Sequence, residues 1–301
     1  MFFKKALFCT SFFFILGIAS IQCKDSNDWN YVPRAPQKTS LLFHSWSIYS
    51  QFGEEGVLDE ILKKLQITDG TFIEFSVFYD TCTSNVRYLA DREWQGIFVD
   101  ASTELLRDTR KNNQYFRLLP SILCLEEILY FKDVAHLSRV QFIKDSAAIN
   151  KTTLDRIGNS FFYNNEIDVL SIDLGGADLL LLERVQHKPK IIIVKAGCYW
   201  TPFATAKIPA EIALYGLNQP LAVVVDEARN QGYTPVCYTG NVFLVRDDLL
   251  KSFQEIKKDP VTLWRDAWYY YLENQPSYVT WIIDKRASHS YIQQFDPLNY
   301  N

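Results

Sequence analysis

Thr71-Phe-Ile-Glu-Phe-Ser-Val77 is the stretch from which the fold is predicted. It is a short β-type run without apolar/polar alternation, as expected of a strand that is covered on both faces. A second run of the same type, Gly96-Ile-Phe-Val-Asp100, follows after a polar, helix-like stretch at 85–92. Two short strands separated by a helix predict a parallel βαβ unit.

The sequence on both sides of this unit extends it into a larger sheet. Upstream, residues 56–65 place their apolar side chains on one helical face, which predicts an amphipathic helix with Glu54 and Glu55 on its polar side. Downstream, Pro220 and Gly232 bracket a further helix, since proline favours the first turn and glycine the position after the last. The remaining β-type runs lie at 140–143, 168–173 and 190–194, with a closing hairpin at 234–238 and 241–246 around Thr239-Gly240. The chain is therefore predicted to be a doubly wound α/β protein.

Composition limits the classes of function. The 301 residues are 48% hydrophobic and 22% charged, which suits one large domain with appendages. A formal net charge of -4 without a long basic run predicts that nucleic acid is not a partner, because phosphate binding needs clustered Lys and Arg. The four histidines are scattered and the cysteines form no CxxC pair, so no metal site is predicted. No Gly-x-Ser-x-Gly elbow of a hydrolase is present.

The two ends of the chain differ from its centre. Lys4 and Lys5 precede an uncharged apolar stretch at 6–22, which predicts either a secretory signal peptide over residues 1–23 or an uncleaved membrane tether. The protein is then exported (secreted, periplasmic or lumenal) or anchored in a membrane through its N-terminus. Cys82, Cys124, Cys198 and Cys237 are either partners in one or two disulfides or buried thiols. The predicted divisions are an extended lead-in at 24–45, the main domain at 46–250 and an aromatic-rich extension at 251–301 that packs on it.

Acidic residues stand where predicted strands end, namely Glu74, Asp100 and Asp173. In open α/β sheets the ligand crevice lies outside the carboxyl ends of the strands, so these carboxylates are expected to converge there. The spacing from Glu74 to Asp100 suits a nucleotide site in which the second acid accepts hydrogen bonds from ribose hydroxyls. The alternative for Asp100 is a cap of the following helix.

Six sequence blocks carry a resemblance to the FkbM-like S-adenosylmethionine (SAM)-dependent methyltransferases. In chain order they are Ser50-Gln-Phe-Gly-Glu-Glu-Gly-Val57, Phe72-Ile-Glu-Phe75, Ser84-Asn85-x-Arg-Tyr-Leu89, Trp94-Gln-Gly-Ile-Phe-Val-Asp100, Leu170-Ser-Ile-Asp173 and Asn241-Val-Phe-Leu-Val-Arg246. The resemblance implies a Rossmann-like seven-stranded methyltransferase sheet with a closing antiparallel hairpin, SAM as methyl donor, and O-methylation of a small-molecule or glycan hydroxyl.

The resemblance also implies roles for individual residues. Asp100 would hold the ribose, while Glu74, Ser76 and Asp80 would border the methionine part of the cofactor. Asp173 would border the reacting centre and accept the hydroxyl proton, as a positioned carboxylate can.

The chain departs from the family at two places in the expected site. Relatives carry glycines after the first strand, where this chain has Ser76, Phe78 and Thr81, and side chains there oppose a close approach of backbone to cofactor. Lys195 stands where relatives have an acid; it is expected either to clamp an anionic group or, as favoured, to reach solvent. His44 is either structural or at the crevice mouth. These departures favour an alternative function, a catalytically inactive exported or tethered scaffold that has lost SAM.

Overall fold

The computed structural model describes residues 36, 38–76, 84–100, 140–144, 166–174, 176–185, 187–209, 217–256, 258–275, 277 and 282. For residues 76, 100 and 140–144 only the backbone is described. The predicted N-terminal segment at 1–23 and Asp80 lie outside these residues, as do Cys82 and Cys124. No helix in the described ranges is both long and apolar enough to cross a membrane.

The described chain alternates strands and helices. Its strands are β1 Thr71–Ser76, β2 Gln95–Asp100, β3 Val140–Lys144, β4 Val169–Asp173, β5 Ile191–Lys195, β6 Tyr233–Tyr238 and β7 Asn241–Arg246. Its α-helices are α1 Glu54–Leu65, α2 Arg87–Asp91, α3 Asp178–Leu182, α4 Leu221–Asn230 and α5 Pro260–Asn274, and 3-10 helices span Leu41–His44 and Asp247–Phe253.

All these strands belong to one mixed sheet, in the order β3-β2-β1-β4-β5-β7-β6. The pairs β1–β2, β2–β3, β1–β4 and β4–β5 are parallel, whereas β7 runs antiparallel to both β5 and β6. The predicted α/β class and the closing antiparallel hairpin are confirmed. The turn between β6 and β7 requires Gly240, which has a φ of 95°, a conformation that residues with a Cβ rarely adopt.

Continuous burial explains why the central strands do not alternate. Every residue of β4 and β5 is buried except the last of each, Asp173 and Lys195. Each fully buried Ile in β5 stabilises the fold by about 1.5–3 kcal/mol relative to an exposed one. The two strands therefore form the buried centre of the sheet, and each ends in a partly exposed charged side chain at the carboxyl edge.

The aromatic C-terminal helix α5 packs on the sheet beside β6 and α4. Asp259 caps its N-terminus by accepting a hydrogen bond from the Thr262 amide, and Pro260 occupies its first turn. Trp264 and Trp268 are buried and stacked on each other with ring centroids 5.2 Å apart. These aromatic side chains therefore act as a cover for the sheet.

Two predictions about the N-terminal part of the domain are wrong. Leu41–His44 forms a 3-10 helix with Leu41 and Leu42 buried, where an extended lead-in was expected. Glu54 and Glu55 are fully buried rather than on the polar face of α1. The reason is local: the Glu55 carboxylate accepts hydrogen bonds from the amides of residues 48–50, so it holds the preceding loop against the helix.

Candidate active site

The carboxyl ends of β1, β2 and β4 lie side by side. In the sheet register Ser76 stands opposite Asp100 on one side and Asp173 on the other. Three of the residues predicted to line the crevice therefore share one line across the sheet at its carboxyl edge. Glu74 lies two residues deeper on β1, opposite Ser171 of β4.

Asp173 and Lys195 form an ion pair at this edge. The Lys195 Nζ lies 3.2 Å from Asp173 Oδ2, and the two side chains are 19% and 25% exposed. Burial alone would lower the pKa of Lys195, but the carboxylates of Asp173 and Glu54 outweigh it and raise that pKa above its usual value. Lys195 is thus an ammonium paired with Asp173 at the carboxyl edge of the sheet, and the favoured prediction that it extends into solvent is wrong.

Asp178 supports the loop that follows β4. Its carboxylate accepts hydrogen bonds from the amides of Leu174, at 2.8 Å, and Gly176, at 2.9 Å. Burial, together with the neighbouring Asp173 charge, raises the pKa of Asp178 to about 7. Its two oxygens are occupied by the chain's own backbone, so it fixes the loop beside Asp173.

Glu74 is buried beneath the edge and bound by three groups of the chain. Its carboxylate accepts hydrogen bonds from the Ser84 hydroxyl at 2.5 Å, the Asn85 amide at 3.0 Å and the Ser171 hydroxyl at 3.0 Å. Burial raises the pKa of Glu74 to about 7, although these hydrogen bonds act in the opposite direction. Its described contacts therefore join β1 to β4 and to the segment before α2.

Glu54, at the start of α1, also accepts hydrogen bonds from three groups, two of which belong to the β6–β7 hairpin. It accepts hydrogen bonds from the Phe52 amide at 2.7 Å, the Thr239 hydroxyl at 2.8 Å and the Asn241 side-chain amide at 2.9 Å. The Asn241 amide also lies 3.4 Å from the side-chain oxygen of Asn85. These contacts link the two carboxylates into one buried polar network, defined by Glu54, Glu74, Ser84, Asn85, Ser171, Thr239 and Asn241.

One atom of this network has no partner. A carboxylate only accepts hydrogen bonds, so the Asn241 side chain must turn its NH₂ group toward Glu54. Its oxygen, Oδ1, is buried and has no hydrogen-bond partner within the described residues. Asn241 is paired with Lys195 in the sheet, so this unsatisfied acceptor belongs to the strand end beside the ion pair. A buried acceptor without a donor fits a ligand that carries one.

The comparison with known proteins gives no family. No protein-family model matches the chain, and no curated protein matches it.

The sequence blocks nonetheless have a shared structural explanation. Five of the six supply members of the buried polar network: Glu54, Glu74, Ser84 with Asn85, Ser171, and Asn241. Among these network members, the sequence predicts a role only for Glu74. The signal that could have found the others is a polar residue standing inside an otherwise apolar block.

The remaining candidate residues lie away from the crevice. His44 is exposed at the end of the first 3-10 helix, with Nδ1 3.7 Å from a Glu60 oxygen. No group of three or more His, Cys, Asp or Glu side chains that could hold a metal ion occurs among the described residues. Cys198 and Cys237 are both buried, and Cys237 is a free thiol.

Proposed function

We propose that the chain is an FkbM-like methyltransferase-fold protein that binds SAM at the carboxyl edge of the sheet. Its reaction would be methyl transfer to a hydroxyl of a sugar-like or small-molecule acceptor. The observation that carries the proposal is the strand order, with β7 antiparallel between β5 and β6. A dinucleotide-binding sheet shares the order 3-2-1-4-5 but continues with a parallel strand, so the antiparallel insertion favours the methyltransferase sheet.

The chemistry of the edge fits a nucleoside ligand. The edge carries both signs of charge: Asp173 pairs there with the Lys195 ammonium, the carboxylates of Glu54 and Asp178 act on that ammonium, and Lys144 ends β3 opposite Asp100. Asp100 ends the neighbouring strand, where a ribose would be held. Bound SAM would supply an electrophilic methyl group on a positively charged sulfur.

The ion pair suits a hydroxyl acceptor, because a hydroxyl both donates and accepts a hydrogen bond. Asp173 Oδ1 has no hydrogen-bond partner within the described residues, whereas Oδ2 is held by Lys195. A hydroxyl could donate to Oδ1 and accept from Lys195, and Asp173 would then take its proton as the methyl group is transferred.

Isothermal titration calorimetry of the full chain with SAM and with S-adenosylhomocysteine tests the proposal. We expect both ligands to bind, and Asp100→Ala to weaken them at least ten-fold because ribose contacts are lost. Asp226→Ala is the matched control, since Asp226 is exposed on α4 and contacts only Arg229 among the described residues. Absence of heat at millimolar ligand, with a folded sample, would exclude cofactor binding.

A second candidate function, an inactive scaffold, is favoured by the same ion pair. Lys195 already occupies one oxygen of the carboxylate that the reaction would use, and Ser76 replaces the first glycine of the family loop. The double substitution Ser76→Gly with Phe78→Gly discriminates. If only this variant binds SAM, the wild-type chain is a scaffold; if both bind equally, the missing glycines do not limit the site.

A further inference from the structure

The acids near the crevice differ in their access to solvent. Glu54, Glu74 and Asp178 are each at most 2% exposed, and each accepts several hydrogen bonds from its own chain. Asp173 is the exception among these four, because a quarter of its side chain is exposed. A positively charged ligand group entering the crevice would therefore meet Asp173 first.

Lys195 already provides the positive charge at that carboxylate. Its ammonium lies 3.2 Å from Asp173 Oδ2 and is also stabilised by the charges of Glu54 and Asp178. Lys195 is the last residue of a strand whose other residues are buried, so the Lys195 backbone cannot easily move away from Asp173. The backbone that carries this cation thus belongs to the sheet and not to a loop.

We propose that Lys195 competes with the cationic part of the ligand for Asp173, so that the crevice favours uncharged S-adenosylhomocysteine over SAM. This is called the competitor role of Lys195. The proposal rests on the proposed function and concerns the charge preference of the same site. The two nucleosides differ by one methyl group and one positive charge on sulfur. SAM must either displace Lys195 from Asp173 or place its sulfonium near a second cation, and like charges repel strongly where water is partly excluded.

The consequence is a specificity determined by one residue. Replacing the ammonium with an uncharged side chain of similar length would remove the partner that Asp173 has at this edge. A sulfonium could then take that place, whereas a neutral thioether would gain nothing from it. The Lys195→Met variant is therefore expected to change the preference between the two nucleosides without a comparable change in affinity for the thioether.

Calorimetric titration of the full chain with both nucleosides measures this preference as the ratio of the SAM Kd to the S-adenosylhomocysteine Kd. We expect a ratio above one for wild type and a fall of at least ten-fold in Lys195→Met, through tighter SAM binding. Lys190→Met is the matched control: Lys190 precedes the opposite end of β5 and pairs with Asp168 at 2.7 Å. Its ratio should equal that of wild type, as should that of the charge-retaining variant Lys195→Arg.

The possible failures are distinguishable. If both nucleosides bind and the ratio does not fall in Lys195→Met, the competitor role is wrong and the proposed function stands. If no variant binds either nucleoside, the proposed function fails and the competitor role fails with it. Circular dichroism checks folding, and Lys195→Gln replaces Lys195→Met if the latter does not fold.

Discussion

Thr239, in the turn between β6 and β7, donates its hydroxyl to the Glu54 carboxylate at 2.8 Å, across 185 residues of sequence. The same carboxylate accepts from Phe52 and Asn241, so the start of α1 is fastened to the closing hairpin. The contact shows how the crevice edge is held: a buried acid at a helix start organises elements from both ends of the domain.

Replacing this acid should destabilise the whole domain. In Glu54→Gln the introduced NH₂ group faces donors, so at least one buried polar group is left unsatisfied. We expect the free energy of unfolding to fall by about 2–4 kcal/mol in urea denaturation. Glu255→Gln serves as the control, because the Glu255 side chain is exposed and its described salt bridge is to Lys64. A loss no greater than that of the control would show that the network does not support the fold.

Glu74 should make stability depend on pH. Its pKa rises from 4.5 to about 7 on folding, so the native state binds more protons than the unfolded state between these values. Its contribution is therefore fully present below pH 4.5 and is lost as pH rises toward 7, by about 3 kcal/mol in total. Glu74→Gln should remove this part of the slope. Parallel stability curves for wild type and variant over that pH range would contradict the assignment.

The C-terminal helix should depend on one buried hydroxyl. Tyr271 donates a hydrogen bond from its OH group to the Thr239 carbonyl, and its ring packs edge-on against Phe52. Tyr271→Phe keeps the ring but leaves that carbonyl with one donor fewer, which should cost about 1–2 kcal/mol. Faster amide exchange across residues 260–274 is the expected signature. Tyr269→Phe, on the same helix but half-buried, should exchange like wild type.

Gly56 should be intolerant of any side chain. A Cβ at this position would overlap the His44 carbonyl oxygen and the Trp46 backbone nitrogen, because α1 lies directly against that segment. Gly56→Ala is expected to lower the free energy of unfolding by about 1–3 kcal/mol, despite the higher helix propensity of alanine. Lys63→Ala on the exposed face of α1 provides the comparison. Equal stability of the two variants would mean that the segment can move away from the helix.

The strands of the sheet could be predicted from the sequence, because the patterns that indicate strands and helix ends are local. Short apolar runs bounded by polar segments marked β4 and β5, and the Pro220 and Gly232 pair marked the ends of α4. Burial of Glu54 and Glu55 was missed because helical periodicity assigns charged residues to solvent. Their partners, the 48–50 amides and the β6–β7 turn, are contacts that no local pattern reveals.

The candidate site was predicted only in outline. Parallel strand order places the last residues of β1, β2 and β4 together, so the convergence of Asp100 and Asp173 was predicted from chain position, whereas Ser76 was predicted through the family resemblance. The pairing of Asp173 with Lys195 was not predicted, because it depends on β4 and β5 being neighbours and on the direction of the side chains at two strand ends. The spacing of residues along the chain does not reveal which strands are neighbours or where their last side chains point.

Hydrogen–deuterium exchange of the full chain, with and without S-adenosylhomocysteine, tests most directly whether the carboxyl edge is the ligand site. We predict slower exchange in peptides that cover 95–100 and 169–178, at the ends of β2 and β4, and unchanged exchange in 187–190 and 247–253 at the opposite edge. Protection confined to the opposite edge, or no protection at saturating ligand, would contradict the account.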